Sequence, residues 1–457
     1  MEAFFNIITR EIIFWMAWIV IPLIMEIIPA IGGFFLLLKK SFTHKDDIIP
    51  ENFPDITLII PVYNSEQTLH TCLESVYLSD YPKHLLHVLL INNQSADNSF
   101  NIFTECQKEF ENLPMTWLNA KQGKSKALNM ALFNSQDKYV INIDSDGMLH
   151  PQALKNMVTR FEQNPDISCL TGAVLTNIDM VEDEANIILK LLRRCEFFEY
   201  AQAFLAGRNF ASEIDSIYTL SGAFSAFRKS TILKTQLYNM ATVCEDTHVT
   251  FQVRHLLNQK VHLCENALFF VDPIESWNKL YTQRQRWQRG EIEVSHMFLK
   301  GELQPATGFF SNFMVRLLMY DHTFAFPRMI WYFALMYLVF LNYPMYLVVG
   351  SVFIIYLLYS FTSFLYYINI RMYLKKFKDI RKYYSGKLYL VFLLPIFNFF
   401  VFWMRLAGII NSINSEGRWK TTNLAEEVKT FKTIVDKDAS KGRNILKRIR
   451  RVFNIGE

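Results

Sequence analysis

Three short clusters in this chain combine residue types that do chemistry together: Asp144-Ser145-Asp146, then Cys244-Glu245-Asp246, then Tyr-Thr-Gln-Arg-Gln-Arg-Trp-Gln-Arg-Gly-Glu over residues 281–291. The first places two carboxylates at i and i+2, the arrangement a hard cation such as Mg²⁺ needs when a diphosphate supplies its remaining oxygens. The second adds an acidic pair able to accept a proton. The third puts the amide of Gln283, the guanidinium of Arg286 and the indole of Trp287 within about one helical turn, suited to gripping a diphosphate and stacking on a sugar ring. Any one of these triplets arises by chance in many loops, so the information lies in their ordered combination.

Such groups need a scaffold that brings distant segments to one place. From Asp55 to about Val271 the pattern is alternating α/β. Short apolar runs at 56–60, 87–91, 115–118 and 139–143 read as buried strands, with helical apolar spacing over 66–77 and a stop at Pro61. Their carboxyl ends run into polar loops: Asn92-Asn93-Gln94-Ser95-Ala96-Asp97, Lys121-Gln122-Gly123-Lys124-Ser125, and the Asp144 to Asp146 triplet. Ligands of open α/β sheets bind beyond those strand ends, so the loops are expected to converge on one crevice. Residues 177–212 read as a helix-rich insertion without a legible role.

The remaining apolar residues are concentrated elsewhere. Of 457 residues, 51% are hydrophobic and 15% aromatic, and part of the chain belongs in a membrane. Residues 12–38 have the length of a crossing, closed by Lys39 and Lys40; Pro22, Glu26 and Pro29 interrupt it, and an ionisable residue at that depth is expected to face protein. The run is too long for a cleavable signal peptide and lacks a basic leader. Further apolar stretches cover 324–341, 345–368 and 388–410, the first two joined by an Asn342-Tyr343-Pro344 turn. The Lys and Arg between 371 and 387 place that loop in the cytosol, and with it the α/β region. The basic tail favours the same side, so 388–410, carrying Pro395 and Arg405, is read as either spanning or re-entrant.

Six cysteines without CxxC spacing imply reduced thiols, and neither a disulfide framework nor a zinc site. His248, His255 and His262 recur every seven residues, which is read as a helical face. The net charge of +4 comes mainly from the membrane-proximal basic residues and implies no nucleic-acid partner.

With the order Pro61-Val62-Tyr63-Asn64, the loop ending in Asp97, Lys124 with Ala127-Leu128-Asn129, Asp144-Ser145-Asp146, Ser221-Gly222-Ala223, Cys244-Glu245-Asp246 and Gln283-Arg284-Gln285-Arg286-Trp287, the chain resembles membrane-bound family 2 glycosyltransferases. Those are the synthases of cellulose, hyaluronan, chitin and poly-N-acetylglucosamine type, with the Gram-positive exosortase-associated glycosyltransferases among the relatives. The resemblance covers about residues 53–299. It implies a GT-A-type nucleotide-sugar-binding α/β domain, with a mixed, mainly parallel sheet, flanked by N- and C-terminal transmembrane helices. The expected division is 1–50 as transmembrane helix and linker, 51–275 as the cytosolic glycosyltransferase domain, 276–322 as the motif-bearing and interfacial helices, 323–410 as the C-terminal transmembrane region and 411–457 as a basic cytosolic tail.

The resemblance also implies roles. Pro61, Tyr63, Asn64, Asn92, Asn93 and Asp97 would hold uracil and ribose, Lys124 the nucleotide or its phosphates, and Asp144 the nucleoside. Asp146 would ligate Mg²⁺ or Mn²⁺ bridging the diphosphate. Asp246, beside Glu245, would be the general base, with inversion as the outcome; the bland alternative is a capping acid on the following helix. Ser221, Gly222, Gln283 and Arg286 would serve the diphosphate and acceptor end, and Trp287 the floor beneath the acceptor sugar. Arg284 and Arg289 are expected on a solvated or lipid-facing side of an interfacial helix. Two departures stand out: Asn92 and Asn93 replace acidic residues common in relatives, and Cys244 stands where cellulose synthases have Thr. Arg418-Trp419-Lys420-Thr421 resembles the Trp-containing tail motif of hyaluronan synthases and could close on the nucleotide.

The expected function is inverting, metal-dependent transfer from a UDP-sugar to a growing polysaccharide at a bacterial plasma membrane, by a multi-pass protein with its catalytic domain in the cytoplasm. The alternatives are single transfer to a lipid or protein acceptor, and a catalytically silent membrane scaffold or nucleotide-sugar sensor. The few apolar segments make a slender conduit, so secretion would call for an accessory subunit or a homo-oligomer.

Overall fold

In the computed structural model, residues 18–20, 22–43, 48–240, 242, 244–299, 325–341 and 343–414 are described. Eight strands form one mixed sheet: β1 (Ile56–Val62), β2 (Leu86–Asn92), β3 (Met115–Asn119), β4 (Tyr139–Ile143), β5 (Gly147–Leu149), β6 (Ile167–Thr176), β7 (Phe224–Arg228) and β8 (Lys260–Val271), in the spatial order β3-β2-β1-β4-β7-β6-β8-β5. The first four strands run parallel; β7 is antiparallel to both β4 and β6, β8 is parallel to β6, and β5 is antiparallel to β8.

All seven residues of β1 and all ten of β6 are buried. That explains why neither strand alternates apolar with charged residues, because an interior strand covered on both faces has no solvent side to mark. Pro61 does not end β1 as the sequence suggests. It lies past Ile59, the last residue paired with β4, so the missing N–H breaks no ladder there and the strand continues to Val62.

The helices that position the site are α1 (Ile28–Thr43), α2 (Leu69–Tyr77), α3 (Ser99–Glu109), α4 (Lys124–Asn134), α5 (Ala153–Gln163), α6 (Ile178–Glu182), α7 (Ile187–Tyr200), α8 (Arg208–Glu213), α9 (Lys229–Ile232), α10 (Glu245–Phe251), α11 (Trp277–Leu299), α12 (Ala325–Phe340), α13 (Met345–Tyr373), α14 (Lys378–Ser385) and α15 (Leu390–Asn414). A π-helical stretch, Ala201–Gly207, joins α7 to α8, so the insertion is helical throughout its second half. His248 and His255 fall in the helical stretch that begins at α10, but His262 lies in β8, so the seven-residue recurrence is no helical face. All six cysteines are buried free thiols.

Among the described residues two helices are long and apolar enough to cross a membrane, Met345–Lys376 and Leu390–Ala407. The second is continuous through Pro395 and packs along α11 and α13. Residues 12–17 and 21 of the 12–38 run, the 300–322 stretch, the Arg418 to Thr421 motif and the basic tail lie outside the described residues.

Where α1 meets the sheet domain, charges cluster around the buried Glu265. Lys40 Nζ lies 2.7 Å from Glu213 and 3.7 Å from Glu265, whose other oxygen is 3.3 Å from Arg160. Burial alone would raise the Glu265 carboxyl, but Arg160 and Lys40 outweigh it and hold it down at about 2.

Candidate active site

The carboxyl end of β4 delivers Asp144 and Asp146 to the mouth of a cavity of about 850 Å³. Its wall also includes Lys124, Ser221, Gly222, Glu245, Asp246, Gln283, Arg286 and Trp287, so residues from five segments of the chain meet in one place. Gly123 adopts φ +130°, a conformation open to glycine, and its N–H donates to Asn93 Oδ1 at 2.6 Å. That turn starts α4 with Lys124, whose ammonium donates to Asp144 Oδ1 at 2.5 Å and sits 3.6 Å from Glu245.

These charges set each other's protonation. Burial would lower the Lys124 ammonium, but Asp144, Glu245 and Asp246 outweigh burial and hold its pKa above the usual lysine range. Asp146 opens into the cavity, yet its depth within the protein, and then the charge of Asp144, push its carboxyl up to about 6. Burial also raises the Glu245 carboxyl, against the pull of Lys124 and with help from Asp246.

Asp246 lies in the first turn of α10, and both its oxygens are engaged. Oδ1 accepts from Thr247 N–H at 2.7 Å and Oδ2 from Gly222 N–H at 3.0 Å. The residue therefore does satisfy a free N–H at the helix start, as a capping acid would, while its carboxylate borders the cavity. Gly222 is needed where it stands: a Cβ there would lie 2.9 Å from Asp246 Oδ2. Its carbonyl accepts from Asn142 Nδ2 at 2.9 Å, which ties the Ser221-Gly222-Ala223 loop to β4.

On α11, Gln283 donates to the Tyr200 hydroxyl at 3.4 Å, Arg286 is exposed to the cavity, and Trp287 lies edge-on to Phe204 with ring centroids 5.9 Å apart. Arg284 and Arg289 depart from expectation. Both are buried, at 0% and 5% exposure. Arg284 pairs with Glu199 and stacks 4.4 Å over the Trp287 ring, while Arg289 lies 2.8 Å from Glu293. Arg284 is enclosed by Glu199, Tyr200 and Trp287, and α11 packs along α15 rather than lying open to solvent or lipid.

Pro61, Tyr63, Asn64, Asn92, Asn93 and Asp97 do not line this cavity. They build the neighbouring strand ends. Asn64, at φ +50°, accepts from Ala96 N–H at 2.9 Å; Asn92 accepts from Ser95 N–H at 2.9 Å and donates to Asn119. The oxygens of Asp97 accept from Glu66 N–H at 2.8 Å and Ser99 Oγ at 2.6 Å, and these hydrogen bonds lower its pKa against the opposing effect of burial. Tyr63 is exposed.

Sequence reasoning missed the share of the insertion in the site. Glu199, Tyr200, Phe204 and Arg208 all reach the cavity wall, as does Glu26 from the segment before α1. No spacing rule marks Arg208; only the sheet, by turning the insertion back over its own carboxyl ends, brings it there.

A parallel half-sheet β3-β2-β1-β4, carboxylates at the carboxyl end of β4 and an antiparallel β7 between β4 and β6 define an α/β domain of GT-A type. Residues 57–232 match the family model described as glycosyl transferase family 2. It is 26% identical over 277 residues to a poly-β-1,6-N-acetyl-D-glucosamine synthase of Staphylococcus epidermidis and 24% identical over the same length to that of Staphylococcus aureus strain COL. Each match covers 60% of this chain and 64% of the relative, so the chain spans just under two thirds of the relatives' length. Among solved structures, a mannosyltransferase from Pyrobaculum calidifontis in complex with GDP-Man and Mn²⁺ superposes with a TM-score of 0.56 over 88% of this chain and 98% of its own. At 14% identity that likeness shows a common fold.

Proposed function

We propose that this chain transfers a sugar from a UDP-sugar to an acceptor hydroxyl at a membrane surface, with inversion at C1, as a polysaccharide synthase does. The observation that carries the proposal is the meeting of Asp144, Asp146, Asp246, Gln283, Arg286 and Trp287 around one cavity. The names of the staphylococcal relatives make UDP-N-acetylglucosamine the first donor to try and a β-linked glycan the first product to seek.

The donor set fits a hard divalent cation completed by substrate. Among the described residues no cluster of three or more metal-ligating side chains occurs, so the protein alone does not close a coordination shell. Asp146 nevertheless faces the cavity next to a second carboxylate, the kind of unbalanced pair that a cation and a diphosphate complete. Bound there, Mg²⁺ or Mn²⁺ would neutralise the charge that develops on the departing diphosphate. Lys124 holds Asp144 in place, and Arg286 reaches the same cavity to grip the diphosphate.

Asp246 takes the proton as the acceptor oxygen attacks C1 and UDP leaves from the opposite face. Gly222 and Thr247 fix its carboxylate through their N–H groups, which leaves its remaining lone pairs for the acceptor. Trp287 offers its ring to the acceptor sugar, and Arg284 beneath it locks the indole's orientation. Single transfer to a lipid acceptor is the second reading, favoured by the apolar part of the cavity wall.

UDP release by the nanodisc-embedded protein, across UDP-sugars with Mg²⁺, Mn²⁺ or chelator, tests this. Metal-dependent release from one donor, lost in Asp246→Asn, is the expected result, and product length then separates polymer from single transfer. Nucleotide binding with no release from any donor, even with saccharide acceptors supplied, would overturn it in favour of a silent scaffold.

A further inference from the structure

The cavity does not end at the carboxylates. Its wall continues through Ile24, Ala30, Phe210, Ile214, Val401 and Phe402, a largely apolar surface interrupted by Glu26, Asn398 and Arg405 and shared by the segment around α1, α8 and α15. Within the same cavity stands Arg208. Its Nη1 donates to Thr171 Oγ1 at 3.3 Å and its guanidinium lies 4.6 Å over the Phe204 ring, but among the described residues no carboxylate comes within ion-pair distance of it. The neighbouring acids Asp246 and Glu291 act on it only at longer range, and burial pushes its pKa down to about 10. A cation held in this way is a receptor for an anion, because a half-buried guanidinium without a counterion is costly until one arrives.

We propose that the acceptor is an amphiphilic anion, a saccharide joined through a phosphate to a long hydrocarbon chain. The saccharide hydroxyl would lie at Asp246, the phosphate link on the Arg208 guanidinium, and the chain along the apolar wall. This rests on the glycosyl-transfer reading of the same site. A neutral glycan would leave Arg208 uncompensated, and a soluble anionic sugar would have no use for the apolar wall. That wall includes Val401 and Phe402, which lie in one of the two helices long enough to cross a membrane, where a hydrocarbon chain is already at home. The step balances without further reagents. The hydroxyl oxygen forms the new bond to C1, the bond from C1 to the UDP oxygen breaks, the proton passes to Asp246 and UDP departs, while the phosphate link stays intact.

The test is binding of three probes to the nanodisc-embedded full chain: dodecyl phosphoryl-N-acetylglucosamine, neutral dodecyl N-acetylglucosaminide, and N-acetylglucosamine 1-phosphate without a chain. Wild type is expected to bind the first about tenfold or more tighter than either of the others. Arg208→Gln should abolish the advantage of the charged over the neutral lipid probe, and Arg208→Lys should keep part of it. UDP binding to each preparation verifies that the strand-end half of the site is folded. Equal affinity of wild type for the charged and neutral lipid probes, or an advantage that survives in Arg208→Gln, would overturn the proposal. So would a preference for the chainless phosphate, which would point to a soluble anionic acceptor. If UDP binds and is released from a donor while the charged lipid probe has no advantage, this inference falls and the transferase reading stands. Absence of UDP binding would instead sink the transferase reading itself.

Discussion

Gly222→Ala separates the two carboxylates that could act as base. The added Cβ would stand 2.9 Å from Asp246 Oδ2 and 3.4 Å from its Cγ, whereas it meets no atom of Glu245 among its three nearest contacts. An ordinary carbon–oxygen contact starts near 3.4 Å, so the carboxylate must retreat by about 0.5 Å. It cannot do so freely, because Oδ1 is held by Thr247 N–H at 2.7 Å and the Asp246 carbonyl by Thr250 Oγ1 at 2.6 Å. The carboxylate then either loses the Gly222 hydrogen bond or rotates away from the acceptor. A displacement of about 1 Å at reacting groups costs on the order of 10²-fold in rate, so roughly half that distance should lower kcat by about tenfold or somewhat more. Overpacking should cost about 1–3 kcal/mol of stability, leaving a folded protein. The assay is steady-state UDP release, with donor KM and the thermal midpoint measured on the same preparation. Donor KM should hold within about threefold, since Lys124, Asp144, Asp146 and Arg286 are untouched. A kcat within about twofold of wild type in a folded variant would refute the assignment of Asp246 as base and turn attention to Glu245.

Asp246→Asn should lower kcat by about 10²- to 10⁴-fold; because one of its two N–H donors then loses an acceptor, the thermal midpoint should drop modestly as well, which differential scanning fluorimetry would register. Arg284→Ala should destabilise by about 3 kcal/mol, because it strands the Glu199 carboxylate and removes the cation beneath Trp287; a midpoint unchanged in fluorimetry would count against the pair. Glu265 gives a pH signature. Its folded carboxyl sits at about 2 against an ordinary 4.5, so its contribution is fully present above about 4.5 and is lost as pH falls toward 2. The difference of about 2.5 units corresponds to roughly 3 kcal/mol, and Glu265→Gln should show that deficit near neutral pH and converge on wild type as the solution is acidified. A deficit independent of pH would refute the charge argument.

How far the sequence could be read depended on whether the deciding contacts were local. Strands β1 to β4 were legible because short apolar runs between turn residues are a local signal, and their strand-end loops followed from that. The reversal at β7 was not, since its antiparallel place between β4 and β6 is fixed by pairings such as Ile141 with Ala226, some 85 residues apart. The burial of Arg284 was hidden for a related reason. An arginine in an amphipathic run reads as a surface residue, and only Glu199, which α7 brings from far upstream, makes the interior tolerable for it. The strand-end asparagines add a second, local role to the one their type suggests: Asn92 bonds Ser95 and Asn119 and Asn93 accepts from Gly123, which holds the loops together.

The same logic explains why 388–410 looked broken from sequence. Pro395 and Arg405 are poor residues for a helix surrounded by lipid, but α15 is not surrounded by lipid on all sides. Arg405 is fully buried and its Nη1 points to Gln288 Oε1 on α11, 3.5 Å away, while Phe402 and Leu406 pack near Ile292 of α11 and Tyr332 of α12. An ionisable residue in an apolar helix faces the protein when the protein can hydrogen-bond it. Withdrawing α15 from α11 would therefore expose a guanidinium to an apolar surround and strip cover from the helix that carries Gln283, Arg286 and Trp287. The membrane-length helix and the helix that carries Gln283, Arg286 and Trp287 are thus one packed unit, and the largely apolar half of the cavity lies against the same α15. An acceptor chain resting on that wall would touch the element that sets the position of α11, so occupancy by a lipid-linked acceptor and alignment of Trp287 over its sugar are coupled by direct packing.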